Sequence, residues 1–301
     1  MSKNLGKCNY MVRSLSIGEE NINKSKRGIL LIIISSACFA LMALIVKFVQ
    51  HTSLMEIIFF RCIPSIIILP ILLKKKNMSF YGNNKPLLLL RFICGFFAML
   101  IYFYSVRVMS LTDAITIRQL SPFFIIIISS IFLKEKVFFY QIIIFLLALL
   151  GTMLVIKPGL RLEILPTIIA VIGSVSNAGT NVTLRGLHLT DHPLVIVNFF
   201  TFSSCLTSLI VILWQGNFYF PDPVNLLLLI LLGLISLLAQ ITLTKAYQFA
   251  PANILALYLY SQIIFATMFD FFFFKKMLDL FSVLGLSFVI ISGYLNYKLK
   301  I

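Results

Sequence analysis

The feature that most constrains this chain is a succession of apolar runs, each near twenty residues long, separated by short breaks that carry charge or turn residues. A helix of about 20 residues crosses a hydrocarbon core of roughly 30 Å, where every backbone polar group must be satisfied within the chain, so only helices or a closed barrel can span it. A barrel needs strands that alternate polar and apolar residues over about ten positions. Runs such as Ile125–Ile128 and Phe271–Phe274 are apolar on every face, which selects an all-α polytopic membrane protein. Hydrophobic residues make up 60% of the chain and charged residues 12%, against about 45–50% and about 25% in a soluble domain. A soluble globular fold, a disordered chain and a secreted disulfide scaffold are therefore excluded.

The runs predict ten transmembrane helices, at 28–50, 54–73, 87–107, 112–132, 138–157, 164–186, 193–214, 226–248, 253–274 and 279–297. Residues 1–27 form a polar tail with Lys3, Lys7, Arg13, Lys24, Lys26 and Arg27, and residues 298–301 a short second tail. No A-x-A-like site follows the first run, so the first helix is expected to be retained rather than cleaved as a signal peptide. Cys8, Cys38, Cys62, Cys94 and Cys205 lack C-x-x-C spacing, and the last four, inside predicted spans, read as small apolar packing residues.

Cytoplasmic loops keep Lys and Arg. With the N-terminus inside, 16 basic residues fall in inner segments, counting Arg91 with the loop that begins at Lys74, and five fall in outer ones: Arg107, Lys157, Arg161, Lys275 and Lys276. Both termini are expected in the cytoplasm, with the chain in the cell (inner) membrane. The net charge of +15 is then a matter of topology, and no nucleic-acid partner is expected.

The two halves superpose in order. Ser36, Ala40 and Lys47 fall on Ser174, Ala178 and Arg185 at an offset of 138; Phe59, Phe60 and Ser121 fall on Phe199, Phe200 and Ser261 at 140; Gly151 falls on Gly293 at 142. This divides the chain into five-helix repeats at 28–157 and 164–297. Five is odd, so the second repeat enters from the opposite side. Two inverted repeats are the architecture of alternating-access carriers, with substrate held near the midplane.

The stretch Ser53–Arg61 resembles the start of the second helix of the EamA family of the drug/metabolite transporter superfamily. Arg91–Gly95, Tyr104–Pro122 and Phe132–Glu135 resemble its third helix, fourth helix and following turn. The resemblance covers about residues 28 to 297 and implies a ten-helix carrier of small organic metabolites, such as an amino acid, a nucleotide-like solute or an S-adenosylmethionine-like solute. The stretch Arg91–Pro122 is more similar to the branch that includes S-adenosylmethionine carriers than to amino-acid exporters. The chain departs from the family in the turn after the ninth helix, where Lys275 and Lys276 stand at the place that answers Glu135.

An ionisable side chain inside a span costs about 2.5–3.5 kcal/mol on insertion scales and marks a candidate function. Lys47 and Glu56 lie at matching depth near the outer end and are expected to form a structural ion pair. Arg61 and Arg118 lie roughly 9–11 Å below the outer surface; facing inward they would form a forked site for a carboxylate or phosphate, and by snorkelling they would instead reach the interface. Asp270 is the expected counter-charge of Arg118 in the empty state. Under the repeat Arg118 answers Tyr258 and Arg61 answers Thr201. Asn177, Asn181 and Asn198 either bond across a helix interface or line a polar cavity. Tyr258, with Tyr102, Tyr104, Tyr247 and Tyr260, forms an aromatic cavity wall or an interfacial belt. Lys245 is expected to snorkel.

Two other classes compete. An enzyme acting on a lipid or metabolite would need a nucleophile, base or metal near one face, yet the chain has no G-x-S-x-G, no H-E-x-x-H and no phosphate-binding glycine loop. His188 and His192 have ligand-like spacing around Asp191 but precede Pro193, and no metal is expected there. An ion channel would want oligomeric symmetry rather than an internal repeat. The expected partners are a small-molecule solute, membrane lipids and, as an option the sequence leaves open, a second copy of the chain; no cofactor is expected.

Overall fold

Helices form where the apolar runs place them. The computed structural model of the protein describes residues 2–49, 52–108, 117–156, 164–216, 220–275 and 280–299; the side chains of residues 2–23, 47, 103, 106, 107, 270 and 274 lie outside the described set. The helices are α1 (Ser2–Phe48), α2 (Leu54–Lys75), α3 (Lys85–Val108), α4 (Ser121–Phe132), α5 (Phe139–Ile156), α6 (Ile164–Gly186), α7 (Pro193–Gln215), α8 (Pro223–Phe249), α9 (Ala252–Ala256), α10 (Ser261–Phe274) and α11 (Leu280–Lys298). Among the described residues, eight stretches are long and apolar enough to cross a membrane, and the shorter apolar helices Ser121–Phe132 and Phe139–Val155 supply the fourth and fifth spans. The ninth span is one such stretch, built from α9, a 3-10 turn at Leu257–Tyr260, and α10.

Two expectations change. The polar tail is not separate from the first span: α1 is continuous from Ser2. No proline interrupts it, and Gly28 is tolerated because it packs on Ala250 and the Ala246 carbonyl. The fourth and ninth spans are not single helices, as described below.

The outside of the bundle is apolar, and the inside sets buried polar side chains among an apolar core. Ile67, Ile71, Ile131, Leu213 and Trp214 are all more than half exposed, while Ser35, Ser129, Thr152, Ser204, Ser208 and Thr244 are fully buried. Water would not tolerate so much apolar surface; acyl chains do. Many interior hydroxyls bond a carbonyl one turn back, as Thr152 does to Ala148 and Thr244 to Gln240, which satisfies them without water.

The packing repeats as the sequence does. α1 lies against α8, and α6, the counterpart of α1, lies against α3, the counterpart of α8. The contact of α1 with α10 is answered by that of α6 with α4, while α2 packs on its own counterpart α7 and α5 on α11. At the last of these crossings a Cβ on Gly151 would stand 2.6 Å from the Gly285 carbonyl oxygen, so only glycine lets the backbones meet. The start of the apolar part of α1 packs at the end of α8, where Arg185, at the end of α6, donates to the Tyr247 carbonyl at 3.1 Å. α1 therefore begins where α6 finishes, and the halves are inverted. The last turn of α11 returns there too, through Asn296 to the Ile254 carbonyl.

Candidate functional site

α3 starts at a proline-bearing turn that Asn84 caps by accepting the Leu87 amide, and Asp191 holds the Asn83 and Asn84 amides at 2.6 and 3.1 Å. That anchor sets the depth of α3. Arg91 lies six residues in, ~9 Å along the axis, and is 2% exposed. It is not a loop residue, as the charge count above takes it to be. Its Nη2 donates to Gln240 Oε1 of α8 at 3.0 Å, and its guanidinium carbon lies 4.3 Å from the centre of the Phe200 ring of α7. Gly95, one turn on, leaves the space that the guanidinium, Phe200 and Thr180 of α6 occupy. Arg91 Nε and Nη1 have no hydrogen-bond partner among the described residues, and neither does Arg61 Nε. Arg61 is 8% exposed on α2. Its backbone carbonyl and Pro64 pack on Gly233 of α8.

Toward the centre of the bundle the fourth and ninth spans break at corresponding places. In the fourth, Gln119 and Leu120 form a turn before Ser121-Pro122 opens α4. Proline lacks the donor that would carry the helix through. In the ninth, the Leu257–Tyr260 turn precedes Ser261. Carbonyls at the fourth-span break take side-chain donors instead: Tyr260 OH donates to Gln119 O at 3.0 Å, and Ser174 Oγ to Ile117 O at 2.7 Å. Asn177 Nδ2 donates to Ser121 Oγ at 2.8 Å.

The other sequence candidates separate. The Arg118 guanidinium lies over the Tyr102 ring of α3 at 4.2 Å. Asn181, 3% exposed, donates to the Asn177 carbonyl and keeps Oδ1 without a partner among the described residues. Tyr258 donates to the Gly293 carbonyl, and Tyr247, Tyr258 and Tyr260 are buried, so these three do not form an interfacial belt. Asn198 belongs elsewhere: it reaches the Phe80 carbonyl in the α2–α3 connection, because α7 begins only five residues before it. Glu56 closes a capping box with Ser53 at the start of α2, accepting the Ser53 amide at 2.8 Å. The side chains of Lys47 and Asp270 lie outside the described residues.

The end of the bundle where α1 enters is closed by polar contacts. Glu135, just after α4, accepts the Ala252 and Asn253 amides at the start of α9, each at 3.0 Å, and faces Arg185 Nε at 3.6 Å. Asn253 Nδ2 returns a bond to the Lys136 carbonyl, and Gln248 donates to the Asp191 carbonyl. His188 Nδ1 meets the Arg185 carbonyl, while His192 Nδ1 accepts the Leu194 amide and caps α7. The two histidines thus serve helix ends. Lys134 and Lys275 end α4 and α10 alike in left-handed backbone, at φ 54 and 51.

Ten spans in two inverted halves, each with a broken fourth member, around an interior where guanidinium and amide atoms lack partners among the described residues, define a polytopic membrane transporter. The chain belongs to the EamA-like transporter family, whose profile matches residues 26–157 and again 165–298. It is similar to the pseudopaline exporter of Pseudomonas aeruginosa, 29% identical over 86% of this chain and 92% of that one. It is also similar to solute carrier family 35 member G1 of Mus musculus, 30% identical over 88% of this chain and 76% of that one. A solved crystal structure shares the fold with a TM-score of 0.79 at 14% identity, covering 92% of this chain and 99% of that one. These relatives are transporters or solute carriers by name, and the enzyme alternative falls.

Proposed function

We propose that the protein is a secondary active carrier that moves a small organic metabolite, of the amino-acid, nucleotide-like or S-adenosylmethionine-like kind, across the cell membrane by alternating access. The observation that carries this reading is the pair of broken spans at corresponding positions of two inverted repeats, tied together by Tyr260 and the Gln119 carbonyl. Unwound backbone is tolerated at membrane depth only where protein or a cavity satisfies it, and in carriers such breaks lie at the substrate site. Arg61, Arg118, Asn177, Asn181 and Tyr258 are the residues proposed to meet the solute, with Asp270 as counter-charge to Arg118. The excess of Lys and Arg in one set of loops supports cytoplasmic placement of both termini. The end closed by Glu135 and Arg185 is then the inner one, and the molecule is closed toward the cytoplasm.

Purified protein in sealed liposomes is expected to show saturable counterflow of a trapped solute. Arg118→Ala and Arg61→Ala are each expected to abolish it while insertion is retained. A linear, non-saturating flux would replace the carrier by a channel, and normal counterflow in both variants would remove the two arginines from the site.

A further inference from the structure

Arg91 is among the largest fully buried side chains in the protein, and no carboxylate pairs with it among the described residues. Five N–H donors stand on a guanidinium; one bond, to Gln240, is made to a neutral amide, and one face rests on Phe200. Nε and Nη1 remain unused. Arg61 of α2 is a second buried guanidinium, and its Nε has no partner among the described residues. A buried cation is costly unless paired and hydrogen-bonded. Packing supplies a reason for the arrangement: Gly95 holds open the space beside Arg91, and any side chain there would strike Nη1. Gln240 and Phe200 thus orient the cation from α8 and α7, and Gly95 of α3 leaves it room, while Nε and Nη1 stay without partners among the described residues. Planar, delocalised guanidinium donors match the oxygens of carboxylates and phosphates.

We propose that Arg91, seconded by Arg61 and set in place by Gln240, Phe200 and Gly95, forms a binding site for an oxyanionic group, the carboxylate or phosphate of the transported solute. The proposal rests on the carrier reading and narrows it to solutes that bear such a group. It places the anchoring cation on α3, on the side nearer the Glu135–Arg185 end.

The test uses the full chain in nanodiscs, with thermal unfolding followed in succinate, in inorganic phosphate, in neutral succinamide and in chloride at equal ionic strength. Succinate or phosphate is expected to raise the unfolding temperature saturably, as a ligand that binds only the folded state does, and which of them does so distinguishes carboxylate from phosphate recognition. Succinamide is expected to be silent. Arg91→Gln should abolish the shift, and Arg61→Gln and Gly95→Ala should raise the half-saturating concentration at least tenfold. Arg91→Lys, which keeps the charge but not the fork, should do likewise and carries the test if the glutamine variant does not fold. No oxyanion shift in wild type, or an equal shift in Arg91→Gln or Arg91→Lys, overturns the site. Oxyanion binding that depends on Arg91 but gives no counterflow in liposomes leaves the site standing and overturns the carrier reading. Counterflow of a neutral solute at wild-type rate in Arg91→Lys does the reverse.

Discussion

Replacing Glu135 removes three contacts at once. Its carboxylate holds the Ala252 and Asn253 amides, each at 3.0 Å, and faces Arg185 at 3.6 Å. A hydrogen bond to a charged group contributes about 1.5–3 kcal/mol net. The ion pair, whose side chains are 20% and 12% exposed, adds about 1 kcal/mol. The two amide bonds share one carboxylate and do not add fully, so the lower end of the range applies. Glu135→Ala is expected to cost about 4 kcal/mol, and Glu135→Gln, which keeps one acceptor oxygen but loses the charge, about 2 kcal/mol. Unfolding in nanodiscs can be read with a thiol-reactive dye, since Cys62 and Cys205 are free and buried. A double-mutant cycle with Arg185→Met should give a coupling energy of about 1 kcal/mol. If Glu135→Ala stays within about 1 kcal/mol of wild type, or if its effect simply adds to that of Arg185→Met, the closing role assigned to this carboxylate is wrong.

A methyl group on Gly285 would stand against the Gly151 carbonyl and 2.8 Å from Val155 Cγ2, so Gly285→Ala is expected to destabilise by about 1–3 kcal/mol through overpacking; an unchanged unfolding temperature would contradict the backbone-to-backbone crossing of α5 and α11. His192, outside the spans, has its pKa lowered by burial first and then by Lys76 and Lys245, and its cap needs a neutral Nδ1 acceptor. Because the unfolded chain binds this proton more readily than the folded one, its contribution is present above the ordinary histidine value of about 6.5 and is lost as pH falls below it. His192→Asn keeps an acceptor at the cap and should flatten that part of the stability profile between pH 7.5 and 5.5; an identical profile in wild type and variant would refute the assignment.

Much of the fold is legible because a membrane span has a single requirement, a length of apolar helix, and the chain states it ten times. The ends of α2, α6, α7 and α11 fall within a residue or two of the apolar runs, since charge, Gly216 and the prolines mark them locally. The breaks in the fourth and ninth spans are less visible. Pro122 is a local signal for the first, but Leu257–Tyr260 contains nothing that an apolar helix would refuse, and that turn is held by Tyr260 reaching a carbonyl of another span. Arg91 is hidden for a related reason. It falls within the third expected span, but only four apolar residues separate it from Lys85-Pro86, so the charge count gives it to the loop. The start of α3 depends on Asp191, more than a hundred residues away.

Asn198 shows the converse. An amide in an apolar run looks like a midplane group, yet its position near the start of α7 puts it beside the Phe80 carbonyl. Sequence alone determined the membrane, the ten spans, the inverted repeat and the membership of Arg61 and Arg118 in the short list of intramembrane charges, because each follows from hydropathy, length or order along the chain. Only the tertiary structure decided which intramembrane charge is enclosed by other spans, which carboxylate closes the end where the apolar part of α1 starts and which helices break. Those outcomes depend on side chains from distant spans satisfying one another where water is absent, and nothing in a single segment encodes its partner.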